Sequence, residues 1–193
     1  MSRNTLFLLA VGSFVLFSAM GWAIMEYFGP VSLPETLLQG VSIVKQIIWG
    51  LILGLFLGIA AWLLISQPFL SRTKVFFMDI ASPWKLTWPE IVLVSCCAGI
   101  GEEILFRGAI QPFLGIGWTS ILFVILHGYI NPFNGPLTVY GIFMVLAIAL
   151  LGLATIHLGL IVAVVAHTTI DIWLLFKLSR ADSTIGSRDA SQD

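Results

Sequence analysis

Six stretches of this chain are too apolar to cover a water-soluble domain and too long to hide inside one. The first reads NTLFLLAVGSFVLFSAMGWAIM. A helix crossing a hydrocarbon layer about 30 Å thick needs about 20 such residues. The six runs fall at roughly 5–25, 43–66, 89–114, 117–130, 137–156 and 159–178. The fourth is short for a full crossing, so it is expected to tilt or to be enclosed by its neighbours. Lipid offers no partner for a backbone N–H or C=O, so each segment must satisfy its own as a helix. The fold class that follows is all-α: a polytopic transmembrane helix bundle of about six spans. The composition agrees. Of 193 residues, 59% are hydrophobic and only 10% charged, against about 25% charged in a soluble domain.

The remaining features sort the chain into parts. The first run exceeds the apolar core of a signal peptide, has only Arg3 as a basic flank and shows no clear small-x-small cleavage site followed by a soluble domain, so it reads as a transmembrane helix. The connection EYFGPVSLPETLLQG carries Pro30 and Pro34 and reads as a surface or interfacial segment. The stretch QPFLSRTKVFFMDIASPWKLTWPE sets Arg72, Lys74 and Lys85 among Trp84, Trp88 and phenylalanines, a composition suited to lipid headgroups. We therefore divide the chain into N-terminal spans with a basic, aromatic interfacial loop (1–88), a helical core (89–178) and a polar tail expected to be disordered (179–193). Arg3, Arg72, Lys74, Lys85, Lys177, Arg180 and Arg188 all fall on one side of a six-span map, and only Lys45 falls on the other. The excess of positive charge predicts an integral, multi-pass membrane protein with both termini in the cytoplasm. The net charge of -1 and the lack of a long basic patch give no nucleic-acid signal. Cys96 and Cys97 are adjacent and read as free thiols, because neighbouring helical side chains point about 100° apart.

One short stretch breaks the apolar pattern. GEEILFRG, 101–108, places two glutamates and an arginine inside the third run. With His127, His167 and Asp171 they make six ionisable groups within predicted spans. A central Arg or Asp costs about 2.5–3.5 kcal/mol to insert, so such groups are expected to pair or to do work. Glu103 and Arg107 are spaced i,i+4 with the acid first, which predicts an ion pair. Glu102 points about 100° away and needs a partner from another helix. His167 and Asp171 are again i,i+4. At 1.5 Å per residue, Glu102 lies about 20 Å from its end of the bilayer, and His127 and His167 about 15 and 12 Å from the other. All three then reach similar depth. Taken singly, each has a plainer reading: a lone intramembrane histidine often only hydrogen-bonds across helices, Asp171 serves to orient His167, and the cysteines serve packing. His157 is expected in a short interfacial connection.

These residues resemble the CPBP intramembrane proteases, also called the Abi or CAAX prenyl protease family. The marks are EExxxR, here EEILFR at 102–107; FxxxH, here FVILH at 123–127; and HxxxN, here HTTID at 167–171. The resemblance spans roughly 85–175. It implies an intramembrane endopeptidase in which Glu102 and His127 activate a water, Glu103 and Arg107 support that site, and His167 with residue 171 stabilises the oxyanion. Its substrate would be a membrane-embedded or membrane-associated peptide or protein. A prenylated substrate is disfavoured for so short a member. Asp171 departs from the pattern, because an ionised carboxylate has no N–H to donate. It serves an oxyanion only if protonated, or else fixes the tautomer of His167. Glu102, His127 and His167 are the metal ligands if zinc or another divalent metal is used; a metal-free mechanism uses the same residues, and no HExxH motif is present. The alternative is a non-enzymatic immunity or scaffold protein with a degenerate protease site. A proton-coupled carrier would show inverted repeats and broken helices, which the sequence lacks.

Overall fold

The computed structural model describes residues 3–180, and the described residues are helical almost throughout. In chain order the elements are α1 (Arg3–Phe28), α2 (Leu33–Leu38), α3 (Ile43–Ile65), a 3-10 turn (Pro68–Leu70), α4 (Ser71–Ala81), a second 3-10 turn (Ser82–Trp84), α5 (Trp88–Glu103), a π-helical segment (Ile104–Ile110), α6 (Gln111–Leu126), α7 (Gly135–Leu158) and α8 (Leu160–Arg180). Five helices are long and apolar enough to cross a membrane, and the third is a 39-residue run from Trp88 to Leu126. That run covers the expected third and fourth spans. It breaks at Gly115, where φ is +70°, inside the gap the sequence leaves between 114 and 117. Beyond the break only about 16 Å of helix remains, so the short fourth segment is a half-crossing that folds back against the first arm.

The chain runs up and down in register. α3 and α8 lie parallel along a glycine stripe. A Cβ on Gly50 would sit 2.7 Å from Val165, one on Gly54 would strike the Ala166 carbonyl, and one on Gly58 would meet Trp173 at 3.3 Å. Small residues four apart let two backbones approach where no hydrophobic drive exists between helices in lipid. α1 runs parallel to α5, with Phe14 beside Gly101, Gly21 beside Ile104 and Met25 beside Gly108. α7 and α8 form a hairpin around the single residue Gly159 (φ +119°). Gln46, buried in α3, ties that corner together: its amide donates to the carbonyls of Gln39 (3.0 Å) and Val41 (2.8 Å) and accepts from Ile161 N–H (3.1 Å).

The connections differ from the expected loops. The 30–40 segment holds the short helix α2, started by a Ser32–Glu35 capping box. The middle of the basic, aromatic stretch is helix α4, and a box at Thr87–Glu90 at its end opens α5. Reciprocal side-chain bonds at a helix start satisfy N–H groups that nothing else reaches. Basic residues gather at one end. Arg3 pairs with Glu90, Lys74 and Lys177 lie over Trp62, and Arg180 lies over Phe176. Leu8, Val15, Ile48, Ile52, Phe56 and Leu146 point outward and are exposed, the inverse of a soluble surface. Cys96 and Cys97 are free, as expected. Ser179 and Arg180 complete α8; the rest of the polar tail, with Arg188, lies outside the described residues.

Candidate active site

The π-helical segment sets the centre of the molecule. From Ile104 to Ile110 the ladder widens, and Gln111 N–H bonds back to the Phe106 carbonyl, five residues earlier. Single π turns inside α-helices are rare and gather at functional sites. Gly101, just before it, and Gly108, within it, let α1 approach closely. Every residue from Ile104 to Ala109 is buried.

Glu103 stands at the start of this turn with no exposed surface. Its Oε2 lies 3.3 Å from Arg107 Nε, the expected i,i+4 pair. Its Oε1 lies 2.8 Å from Nδ1 of His167 on α8. Arg107 Nη2 also reaches the Ile148 carbonyl on α7 at 3.4 Å. One carboxylate therefore joins three helices. A charge enclosed this way is tolerable only when paired and hydrogen-bonded. The sequence pairs Glu103 with Arg107 but does not foresee the bond to His167.

Glu102 faces the other way, as its position on the helix requires. Its Oε2 lies 3.4 Å from His127 Nε2, and the two side chains keep 13% and 31% exposure. His127 caps the C-terminus of α6, and its Nδ1–H donates to the Phe123 carbonyl at 2.8 Å. In the neutral ring Nε2 is then an acceptor. Two acceptors face each other, which calls for a proton or a donating water between them. His167 Nε2 lies 3.6 Å from Asp171 Oδ2, close enough for attraction but long for a hydrogen bond.

Phe123 holds both halves in place. His127 stacks on it at 4.2 Å, Phe106 and His167 meet it edge-on at 4.9 and 5.7 Å, and the Arg107 guanidinium lies 5.5 Å from its centre. So the structure brings Glu102, Glu103, Arg107, His127, His167 and Asp171 to one place. His157 is exposed in the last turn of α7 and takes no part.

A cavity of about 570 Å³ reaches this place. His127 and Asp171 lie at its inner end. Its walls come from α4 (Phe76, Phe77, Ile80), the α6–α7 connection (Tyr129) and the last turns of α8 (Leu174, Leu178). It lies toward the basic end, since Lys177 belongs to the same turns of α8 as Leu174 and Leu178. Tyr129 and Tyr140 line it too, and sequence reasoning did not single them out. Spacing could have flagged Tyr129, which follows His127 by two residues. Burial, with the Asp171 and Glu102 carboxylates adding to it, pushes the Tyr129 phenol well above its ordinary pKa.

Among the described residues no three His, Cys, Asp or Glu side chains are arranged as a metal-ligand set. Glu102 and His127 stand as a pair, while His167 turns Nδ1 to Glu103. The residues as placed do not fit a three-ligand cation.

No curated protein and no solved structure matches this chain. Residues 83–173, just under half of the chain, are similar to the family model described as type II CAAX prenyl endopeptidase Rce1-like, and the matched stretch includes EEILFR, FVILH and HTTID.

Proposed function

We propose that the chain is an intramembrane endopeptidase whose nucleophile is a water held between Glu102 and His127. The carrying observation is the 3.4 Å approach of Glu102 Oε2 to His127 Nε2 beside an apolar cavity. Both atoms are acceptors, so a water donating to them presents its lone pair outward. As the water attacks a peptide carbonyl, Glu102 takes its proton and later delivers it to the leaving amine. His127, fixed by the Phe123 carbonyl, holds the water in line. Glu103, Arg107 and His167 shape the site from behind. The apolar walls favour a membrane-associated peptide or protein segment in extended form. Its entry from the basic end, read as the cytoplasmic side with both termini there, follows the charge bias.

The test compares new protein N-termini in membranes expressing wild type and Glu102→Gln at equal abundance. Termini found only with wild type are the expected result. Identical sets, with both proteins folded, would overturn the reading. They would favour the second one, an immunity or scaffold protein with a degenerate site, for which Asp171 in place of the family's asparagine is the specific motive.

A further inference from the structure

We propose that Tyr129 is a catalytic residue of this endopeptidase, its phenol O–H donating to the oxyanion that develops on the scissile carbonyl. The proposal rests on the reading above and supplies what Asp171 leaves missing.

Stabilising that oxyanion takes donors aimed at it, and the obvious ones are committed elsewhere. His167 gives its Nδ1–H to Glu103 at 2.8 Å, and its Nε2, which carries a proton only in the imidazolium, faces the Asp171 carboxylate at 3.6 Å, an acceptor that competes for that proton. An ionised Asp171 donates nothing. The Arg107 side chain has no exposed surface. Asn131 lines the cavity, and its Oδ1, accepting from Phe133 N–H at 2.9 Å, holds the side chain to its own loop.

Tyr129 is different on each count. It lines the cavity with His127 and Asp171. Its ring is fixed between Phe77, Tyr140 and His127, with centroids 5.7, 5.8 and 5.7 Å away. Its N–H donates to the Val124 carbonyl at 3.2 Å, and its own carbonyl packs where only Gly141 leaves room. Among the described residues its hydroxyl has no hydrogen-bond partner. Both Glu102 and Asp171 act on that phenol and, with burial, keep it protonated. A protonated donor on a ring held by three neighbours therefore belongs to the cavity wall shared with His127 and Asp171. Tyr140 meets the Tyr129 ring edge-on.

Water oxygen bonds to the carbonyl carbon while Glu102 accepts its proton. The C=O π pair moves to oxygen, which accepts the Tyr129 hydrogen bond without proton transfer. The pair then returns, the C–N bond breaks, and the proton on Glu102 goes to the departing nitrogen.

The experiment uses the full chain in membranes, as wild type, Glu102→Gln, Tyr129→Phe, Tyr140→Phe and the double variant Tyr129→Phe/Asp171→Asn. Each is assayed on a synthetic peptide spanning the most abundant terminus found only with wild type. Tyr129→Phe keeps the ring and is expected to lower kcat about 10²–10³-fold with KM unchanged. Tyr140→Phe should stay near wild type. Asp171→Asn in the Tyr129→Phe background should restore part of the rate, because an amide N–H replaces the lost O–H; a misfolded protein would not be rescued this way. Wild-type kcat for Tyr129→Phe beside an inactive Glu102→Gln would overturn the proposal and leave the endopeptidase reading standing. An inactive Tyr129→Phe with a lowered melting temperature and no rescue would also overturn it. Identical termini from wild type and Glu102→Gln would remove both.

Discussion

Glu102 and Glu103 are adjacent in sequence and live in opposite surroundings. Glu103 is sealed, with Arg107 and His167 on its two oxygens. Glu102 meets one histidine at 3.4 Å and keeps some exposure beside a cavity. A helix turn of about 100° separates them, and that angle turns one residue type into two jobs. The sealed carboxylate has no exposed surface to offer a substrate and serves to join α5, the π turn and α8. The open one has an unfilled oxygen and a neighbour able to share a water.

Substitutions can break or sharpen this contrast. The largest effect is expected from Glu102→Gln: cleavage should fall about 10²–10⁴-fold, the usual share of a general base, with the melting temperature in detergent nearly unchanged. Arg107→Ala acts on the other side. Leaving Glu103 buried without its cation should cost about 3–5 kcal/mol of stability, read as a large drop in melting temperature and yield. If the two variants exchange these phenotypes, the division between open and sealed carboxylates is wrong. Next comes Gly54→Leu, far from both. It wedges α3 from α8 and should cost about 1–3 kcal/mol by the same melting assay, with residual activity tracking the folded fraction. Asp171→Asn alone should raise cleavage modestly, by about 1 kcal/mol of transition-state stabilisation at most, as the carboxylate competing for His167 is removed; a loss of rate would mean Asp171 is needed to orient that ring. The smallest expected effect is from a chelator. Water held by Glu102 and His127 alone predicts little change. Loss restored by zinc would mean that His167 leaves Glu103 to become a third ligand beside them.

Much of the architecture was legible because lipid imposes simple rules. Apolar length marked the spans, and the i,i+4 spacing of Glu103 and Arg107 marked their pair. The break at Gly115 was visible as a gap between runs, but its consequence was not: nothing local says that the fourth run turns back at half depth. The widened turn at 104–110 was hidden too, since a π-helix has no periodicity readable over seven residues. The motif FVILH named Phe123 without a reason. The structure supplies one, because that ring touches both histidines and the guanidinium.

By itself the sequence determined the solvent, the helical class and the side chains that had to find partners, since a charge in hydrocarbon cannot stay alone. Which partner each one found was decided only by tertiary structure. His167 could have met Glu102 or Glu103, and the packing of α8 on α5 delivered it to Glu103. Tyr129 acquired meaning only when the α6–α7 connection laid it against Phe77 and Tyr140 in the cavity wall. Local spacing governs contacts within one helix. Contacts between helices depend on crossing geometry, which here rests on where glycines permit two backbones to touch.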